Sequence, residues 1–226
     1  MAFIPARGGS KRLLGKNIKL FGGFPLIYYS IAFARYNTFT KVIVSTDDED
    51  IASIARKYGA SVLMRPDFLS ADTTPTAAAA QHCLESEMRQ GFEPDVFITL
   101  QPTNPLRPSQ LYKVASVEYA TNRYDSVISV GVNKHKFGFI QDGIYLPQNY
   151  APGMRSQDLK KLYYENGLLY LTKPSVIIQG DVFGSTISPI INQEPYSIVD
   201  IDDEFDFKLG ECILEMYKDE FLYLKR

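Results

Sequence analysis

Tryptophan is absent from the 226-residue chain, and cysteine and histidine occur twice each. Cys83 and Cys212 lie far apart with no metal-ligand spacing, which excludes a disulfide framework and a cysteine zinc site. The expectation is two reduced, buried thiols in a cytoplasmic protein. With only His82 and His135 available, a zinc hydrolase or a Ser-His-Asp triad would have to use one of two poorly placed residues, so both classes are set aside. No apolar run approaches the roughly 20 residues of a membrane helix, so no membrane association is expected. A strand-like segment starts directly after Met1, which leaves no room for a signal peptide. Neither charge sign dominates: 24 Lys and Arg face 26 Asp and Glu, a net charge of -2. That balance provides no global basic field for nucleic acid. Repeats and low-complexity linkers are lacking too, and 45% hydrophobic with 22% charged residues excludes disorder, collagen and coiled coil.

What is present is an alternation of short β-branched runs with longer helical patterns, the signature of a parallel sheet covered by helices on both faces. Strands are predicted over 2–6, 41–46, 61–64, 95–100, 126–132, 168–172 and 196–201. Helices are predicted over 25–35, from an Asp47 cap to about 58, and over 76–89, 109–121 and 204–217, with Gly59 as a stop. Regularity lapses over 133–165, which reads as an arm inserted in a single 1–226 domain. The predicted class is a Rossmann-like three-layer α/β/α fold with a mostly parallel sheet and a protruding arm.

Three clusters follow predicted strands. The loop A-R-G-G-S-K-R-L-L-G-K-N (6–17) sets glycines among Arg7, Lys11, Arg12 and Lys16. Backbone N–H groups in such a loop can converge on an anion, so it reads as a triphosphate cradle; a surface loop of solvated lysines is the alternative. It is not a P-loop, since Asn17 stands where a magnesium-holding Ser or Thr would be, and G-x-G-x-x-G is absent. The second cluster, L-Q-P-T-N-P-L-R-P (100–108), follows a buried strand at the edge where open α/β sheets bind ligands. This puts Gln101, Thr103, Asn104 and Arg107 within reach of a ligand, unless the prolines only stiffen a turn. In the third, V-D-I-D-D-E-F-D (199–206), strand alternation would place Asp200 and Asp202 on one face. Their repulsion would be relieved by a cation such as Mg²⁺, with a solvated acidic strand end as the alternative. Asp203, Glu204 and Asp206 suit the first turn of the last helix. Together the clusters describe metal-assisted nucleotidyl or phosphoryl transfer.

I-P-A-R-G-G-S-K, G-K-N, V-S-T-D-D, L-Q-P-T-N-P-L-R, E-N-G-L-L-Y and V-D-I-D-D-E-F-D, in this order over nearly the whole chain, resemble the cytidylyltransferases that activate sialic acids. The resemblance implies attack of the anomeric hydroxyl of a nine-carbon α-keto sugar acid on the α-phosphorus of CTP, with Mg²⁺ as cofactor and pyrophosphate as leaving group. Carried over by motif, Arg7, Gly8, Gly9, Ser10, Lys11, Asn17, Arg65 and Thr74 would bind CTP, and Lys16 would neutralise charge toward pyrophosphate. Asp200 and Asp202 would hold the metal and, with Lys16, form the catalytic set. Gln101, Lys136, Arg155 and Tyr164 would meet the acceptor. The resemblance further implies a homodimer in which the arm reaches the neighbour's site, and the 100–107 motif is closer to sialic and legionaminic acid enzymes than to pseudaminic ones.

Other readings are a nucleotidyltransferase acting on a sugar 1-phosphate, a nucleotide-binding or regulatory module without turnover, and a magnesium-dependent phosphatase. The paired aspartates speak against simple binding. No aspartate nucleophile follows the first strand, which speaks against the phosphatase.

Overall fold

The computed structural model describes residues 1–71 and 73–225. Its elements in chain order are β1 (Ala2–Pro5), β2 (Leu20–Phe21), β3 (Phe24–Pro25), α1 (Leu26–Tyr36), β4 (Val42–Thr46), α2 (Glu49–Lys57), β5 (Ser61–Met64), α3 (Thr76–Arg89), β6 (Phe97–Thr99) and α4 (Leu111–Tyr119). There follow β7 (Ser126–Asn133), β8 (Gly138–Gln141), β9 (Ile144–Pro147), β10 (Leu162–Thr172), α5 (Pro174–Ile178), β11 (Ile187–Asn192) and α6 (Glu204–Tyr217). Seven strands form one sheet in the order β11-β7-β10-β6-β1-β4-β5. Only β10 runs antiparallel to its neighbours. Within the sheet β1 is an interior strand, paired to β4 on one side and to the central β6 on the other.

Alternation along the buried strands sorts side chains between two layers. Ala2, Ile4, Val42, Val44 and Ile98 join the larger core with residues of α1, α2, α4 and α6. Phe3, Ile43 and Phe97 point the other way and pack with Ala79, Ala80, Cys83 and Leu84 of α3 and Ile177 of α5. Strands buried on both faces read as continuous apolar runs, as β1, β4 and β6 do.

The helix starts follow local chemistry. At α6, the Asp203 carboxylate accepts from Phe205 N (2.8 Å) and Asp206 N (3.0 Å), while the Asp206 carboxylate accepts back from Asp203 N (3.1 Å). This reciprocal box satisfies N–H groups that the helix leaves unpaired. Asp203→Ala is expected to cost about 1–2 kcal/mol, read as a lower urea midpoint with an unchanged slope. At α2 the cap is Asp48, whose carboxylate accepts from Ile51 N (2.9 Å), and not Asp47. Asp47 instead turns back and accepts from Gly8 N (2.9 Å). A one-residue slip is enough to exchange a helix cap for a strap on the first loop.

Three further expectations change. Residues 196–201 form no strand: a 3-10 turn, Pro195–Ile198, stands there, and the edge strand is β11, one element earlier. Pro189 obscures that strand in the sequence, because proline is compatible with a sheet only at an edge such as this one. The reach over 133–165 is ordered as the hairpin β8–β9 and the first residues of β10. Its turn, Asp142-Gly143, has φ of 51° and 79°, the double left-handed conformation that favours Asp-Gly. Lastly, Cys83 is buried, with its thiol pushed up to about 12 by desolvation, but Cys212 is exposed on the outer side of α6.

Candidate active site

The carboxyl ends of β1, β4, β5 and β6 release their loops on one edge of the sheet, where the chain runs from β1 to β4 and β5 on one side and then crosses back to β6 on the other. Open α/β sheets form their ligand crevice at such a switch point. A cleft of about 640 Å³ opens there, walled by Arg7, Ser10, Lys11, Arg12, Lys16 and Asn17 of the first loop, Arg65 and Thr74 beyond β5, Gln101 and Thr103 beyond β6, and Asp202. The structure thus brings together most of the residues predicted for CTP, one of the paired aspartates and one acceptor candidate.

Each wall is held from behind. The buried Asn17 donates its amide to Arg7 O (2.9 Å), tying the two ends of the loop together. Lys16 Nζ donates to Ile201 O (2.8 Å) and to Asp202 Oδ1 (3.3 Å), and its side chain is only 12% exposed. It is a fixed cation. Arg12 Nη2 reaches Asp202 Oδ2 at 2.8 Å from a side chain that is 69% exposed, so it is tethered only at its tip. Arg65 donates through Nε to Ser45 Oγ (2.8 Å) and through Nη2 to Ser45 O (2.9 Å). That assigns the serine of V-S-T-D-D the task of aiming the arginine. Burial lowers the Arg65 pKa, with Asp47 opposing and Arg7 reinforcing the shift.

Gly8 and Gly9 do not wall the cleft. The Gly8 N–H is taken by Asp47, and a Cβ on Gly8 would stand 2.6 Å from Asp48 Oδ2, so this glycine is required for close approach to the β4 end. Asp200 also stands off the cleft wall. Burial raises its carboxyl, the charge of Asp202 adds to this, and a hydrogen bond from Thr103 and the charge of Lys16 oppose it. The two aspartates are not brought together by strand alternation. A bridge from Ile201 N to Thr103 O (2.8 Å) lashes their segment to the 101–107 loop.

Among the described residues no group of three His, Cys, Asp or Glu gathers as a ready metal site. Two oxygen-bearing side chains beside a cationic loop nonetheless suit a hard cation that draws its remaining ligands from phosphates and water, the usual habit of magnesium. Asp200 and Asp202 therefore fit Mg²⁺ supplied with a phosphate ligand.

Two residues of the 100–108 motif serve the fold. Arg107 has no exposed surface. Its Nε donates to Leu168 O (2.7 Å), Nη1 to Ser30 Oγ (3.1 Å) and Nη2 to Gln101 O (2.6 Å). Desolvation pulls it down to about 10, so it stays cationic at neutral pH. Asn104 is buried as well, and its Oδ1 lies 2.3 Å from where a Cβ on Gly167 would stand. Gly167 has φ 71°, so the E-N-G turn needs glycine twice over.

Lys136, Arg155 and Tyr164 lie away from this cleft within the chain. Lys136 donates to Met154 O and covers the Tyr150 ring, and Arg155 forms an exposed two-pronged pair with Asp158 (2.7 and 3.0 Å). Tyr164 lines a second hollow of about 750 Å³ at the arm base, with His135, Phe137, Tyr163 and Ile198. Arg12 and Thr103, expected from their loops but given no role by the family motifs, join the wall, and Ser45 and Asp47 brace it from the end of β4. Ser45 has no sequence signal beyond its place near the end of a strand, and Asp47 reads in sequence as a helix cap.

The family model described as cytidylyltransferase matches residues 1–190. The chain belongs to the cytidylyltransferase family. It is 37% identical over 220 residues to N-acylneuraminate cytidylyltransferase A of Danio rerio, covering 93% of the chain and 49% of the relative. It thus spans about half the length of that protein. It is 32% identical to the CMP-N,N'-diacetyllegionaminic acid synthase of Legionella pneumophila and 31% identical to a pseudaminic acid cytidylyltransferase of Campylobacter jejuni, covering 96% of both chains in each case. In fold it matches a CMP:2-keto-3-deoxy-manno-octonic acid synthetase complexed with CTP, with a TM-score of 0.68 at 15% identity over 95% of this chain and 98% of that one. No helix among the described residues is long and apolar enough to cross a membrane.

Proposed function

We propose that the protein transfers CMP from CTP to the anomeric hydroxyl of a nine-carbon α-keto sugar acid, releasing pyrophosphate. The observation that carries this reading is the single cleft in which Arg7, Ser10, Lys11, Arg12, Lys16 and Asp202 face one another. A triphosphate brings about four negative charges, and this wall answers them with four cations and one metal-competent carboxylate. Relatives spanning 96% of this chain act, by name, on legionaminic and pseudaminic acids, which makes the acceptor class a nonulosonic acid.

In the reaction the hydroxyl oxygen bonds to the α-phosphorus as the bond to the β-phosphate breaks, and the hydroxyl proton is lost. Positioning and charge stabilisation carry most of such a step. Lys16, pinned by Ile201 O, faces the leaving pyrophosphate without first having to be ordered. Asp200 and Asp202 would hold Mg²⁺, which neutralises phosphate charge when bound. Arg65 and Thr74 close the nucleoside end and Gln101 the acceptor end.

The arm carries Lys136, Arg155 and Tyr164 away from the chain's own cleft, which supports a homodimer in which each arm completes its neighbour's acceptor pocket. Arg155→Ala is then expected to raise the KM for the sugar acid about tenfold or more, with the KM for CTP within about twofold, since losing a charged hydrogen bond costs about 1.5–3 kcal/mol. A loss confined to CTP would remove the arm from acceptor binding. The reaction itself is tested by pyrophosphate release with CTP and Mg²⁺ against N-acetylneuraminate, a legionaminic acid, a pseudaminic acid and an octulosonate, with ATP, GTP and UTP as controls. Turnover with a nine-carbon acid and CTP alone is expected. Turnover only with a sugar 1-phosphate would replace the proposal.

A further inference from the structure

The Asp202 carboxylate is occupied on both oxygens by the cations that face the triphosphate: Arg12 holds Oδ2 at 2.8 Å and Lys16 holds Oδ1 at 3.3 Å. We propose that Arg12 is a gate on the metal site, a positioning residue that keeps Asp202 from taking a divalent cation until a triphosphate draws the guanidinium away. The inference rests on the reading of the cleft as a triphosphate site with Asp202 as a metal ligand.

The two cations differ in freedom, and the difference assigns their roles. Lys16 is 12% exposed and anchored to Ile201 O, so it remains in place whatever Asp202 does. Arg12 is 69% exposed on a glycine-flanked loop and can exchange one anion for another by rotating its own side chain. In the empty cleft a cation approaching Asp202 must displace Arg12 and then sit beside the Lys16 ammonium. A triphosphate reverses this balance, because its oxygens offer the guanidinium a two-pronged partner of higher charge. Asp202 is then released at the moment when phosphate oxygens arrive to fill the remainder of a magnesium shell. Metal and nucleotide binding are thereby coupled, and by linkage the coupling acts equally in both directions. The pair is partly open to water, with Asp202 40% exposed, so the coupling is modest.

The test is Mn²⁺ binding to the full chain without nucleotide, followed by the paramagnetic resonance of the free ion, for the native protein, Arg12→Gln, Arg12→Lys and Arg12→Gln with Asp202→Asn. Arg12 is at the surface, so these variants are expected to retain the native melting temperature. Arg12→Gln should bind Mn²⁺ about five- to tenfold tighter than the native protein, the lower range of allosteric couplings. Arg12→Lys should lie between them, and the added Asp202→Asn should abolish the gain. In parallel, calorimetric binding of CTP in excess chelator should weaken in Arg12→Gln, since the phosphate loses a donor. An Arg12→Gln protein with native or weaker Mn²⁺ affinity overturns the gate. A gain that survives Asp202→Asn overturns it too, since the cation would then be bound elsewhere. Native protein that binds no CTP, with or without metal, overturns the triphosphate reading itself, independently of the Mn²⁺ result.

Discussion

Asp202→Asn is expected to lower the rate of pyrophosphate release from CTP by about 10³-fold or more while leaving the fold intact. A carboxamide keeps the shape of the side chain but offers a neutral, weaker ligand, so the Mg²⁺ proposed to be held there would lose an anionic anchor. Removal of one preorganised electrostatic group at the site of charge development commonly costs 10²–10³ in turnover, about 2.7–4 kcal/mol, and the loss of a metal adds to this. Stability responds differently. Asp202 is 40% exposed, Arg12 can turn to water and Lys16 keeps its bond to Ile201 O, so unfolding free energy should move by no more than about 1 kcal/mol. The measurement is initial rate alongside a urea unfolding curve. A folded variant that retains a tenth or more of native turnover would remove Asp202 from the catalytic set.

Arg107→Met is expected to act in the opposite way, by lowering stability about 3 kcal/mol or more, since three buried acceptors lose charged hydrogen bonds worth about 1.5–3 kcal/mol each. Methionine fills a similar volume, but it leaves Leu168 O without its 2.7 Å donor and Gln101 O with the longer contacts from Asn104 N (3.2 Å) and Ser30 Oγ (3.4 Å). Buried acceptors stripped of a donor cost about 1–3 kcal/mol each. The unusual feature is that, among the described residues, no carboxylate pairs with Arg107. Its charge is dispersed over backbone carbonyls and the face of Phe33, 5.7 Å away. The urea midpoint should fall with little change in slope, and the KM values of whatever fraction remains folded should rise, because Gln101 O is one of the atoms held. A midpoint shift of less than about 1 kcal/mol would mean that water replaces the guanidinium among those carbonyls.

The contrast between these aspartate and arginine variants marks what could be read from sequence. The ends of β5, α3 and α6 fall where periodicity and capping place them, since each is bounded by local chemistry: Gly59 before one, Pro75 before the next, Asp203 before the last. The first loop was legible for the same reason, since strand, glycines and cations are contiguous. Arg107 was not, because nothing in L-Q-P-T-N-P-L-R indicates whether an arginine turns outward to a ligand or inward to Leu168, 61 residues later. Asp202 lines the cleft and Asp200 stands off its wall, and the alternation expected to put both on one face has no strand to act on. Their placement depends on Ile201 N meeting Thr103 O, a contact between distant segments. β11 was hidden by Pro189 and the β8–β9 hairpin by its polar flanks, although Asp142-Gly143 marks its turn.

The inward turn of Arg107 also gives the molecule a timetable. Arg107 N donates to Tyr223 Oη (3.1 Å), and that hydroxyl donates in turn to Pro105 O (3.1 Å), across 118 residues. During synthesis at about 5–20 residues per second, the segment bearing Gln101 would wait roughly 6–24 s for this tyrosine to be made. Until then the β1 loop can assume its shape, but the opposite bank of the cleft lacks its last brace. A nascent chain can therefore tie Asn17 to Arg7 O early, but its cleft gains Ile201, Asp202 and the Tyr223 brace only at the end of synthesis, and is complete once its final aromatic residue has docked.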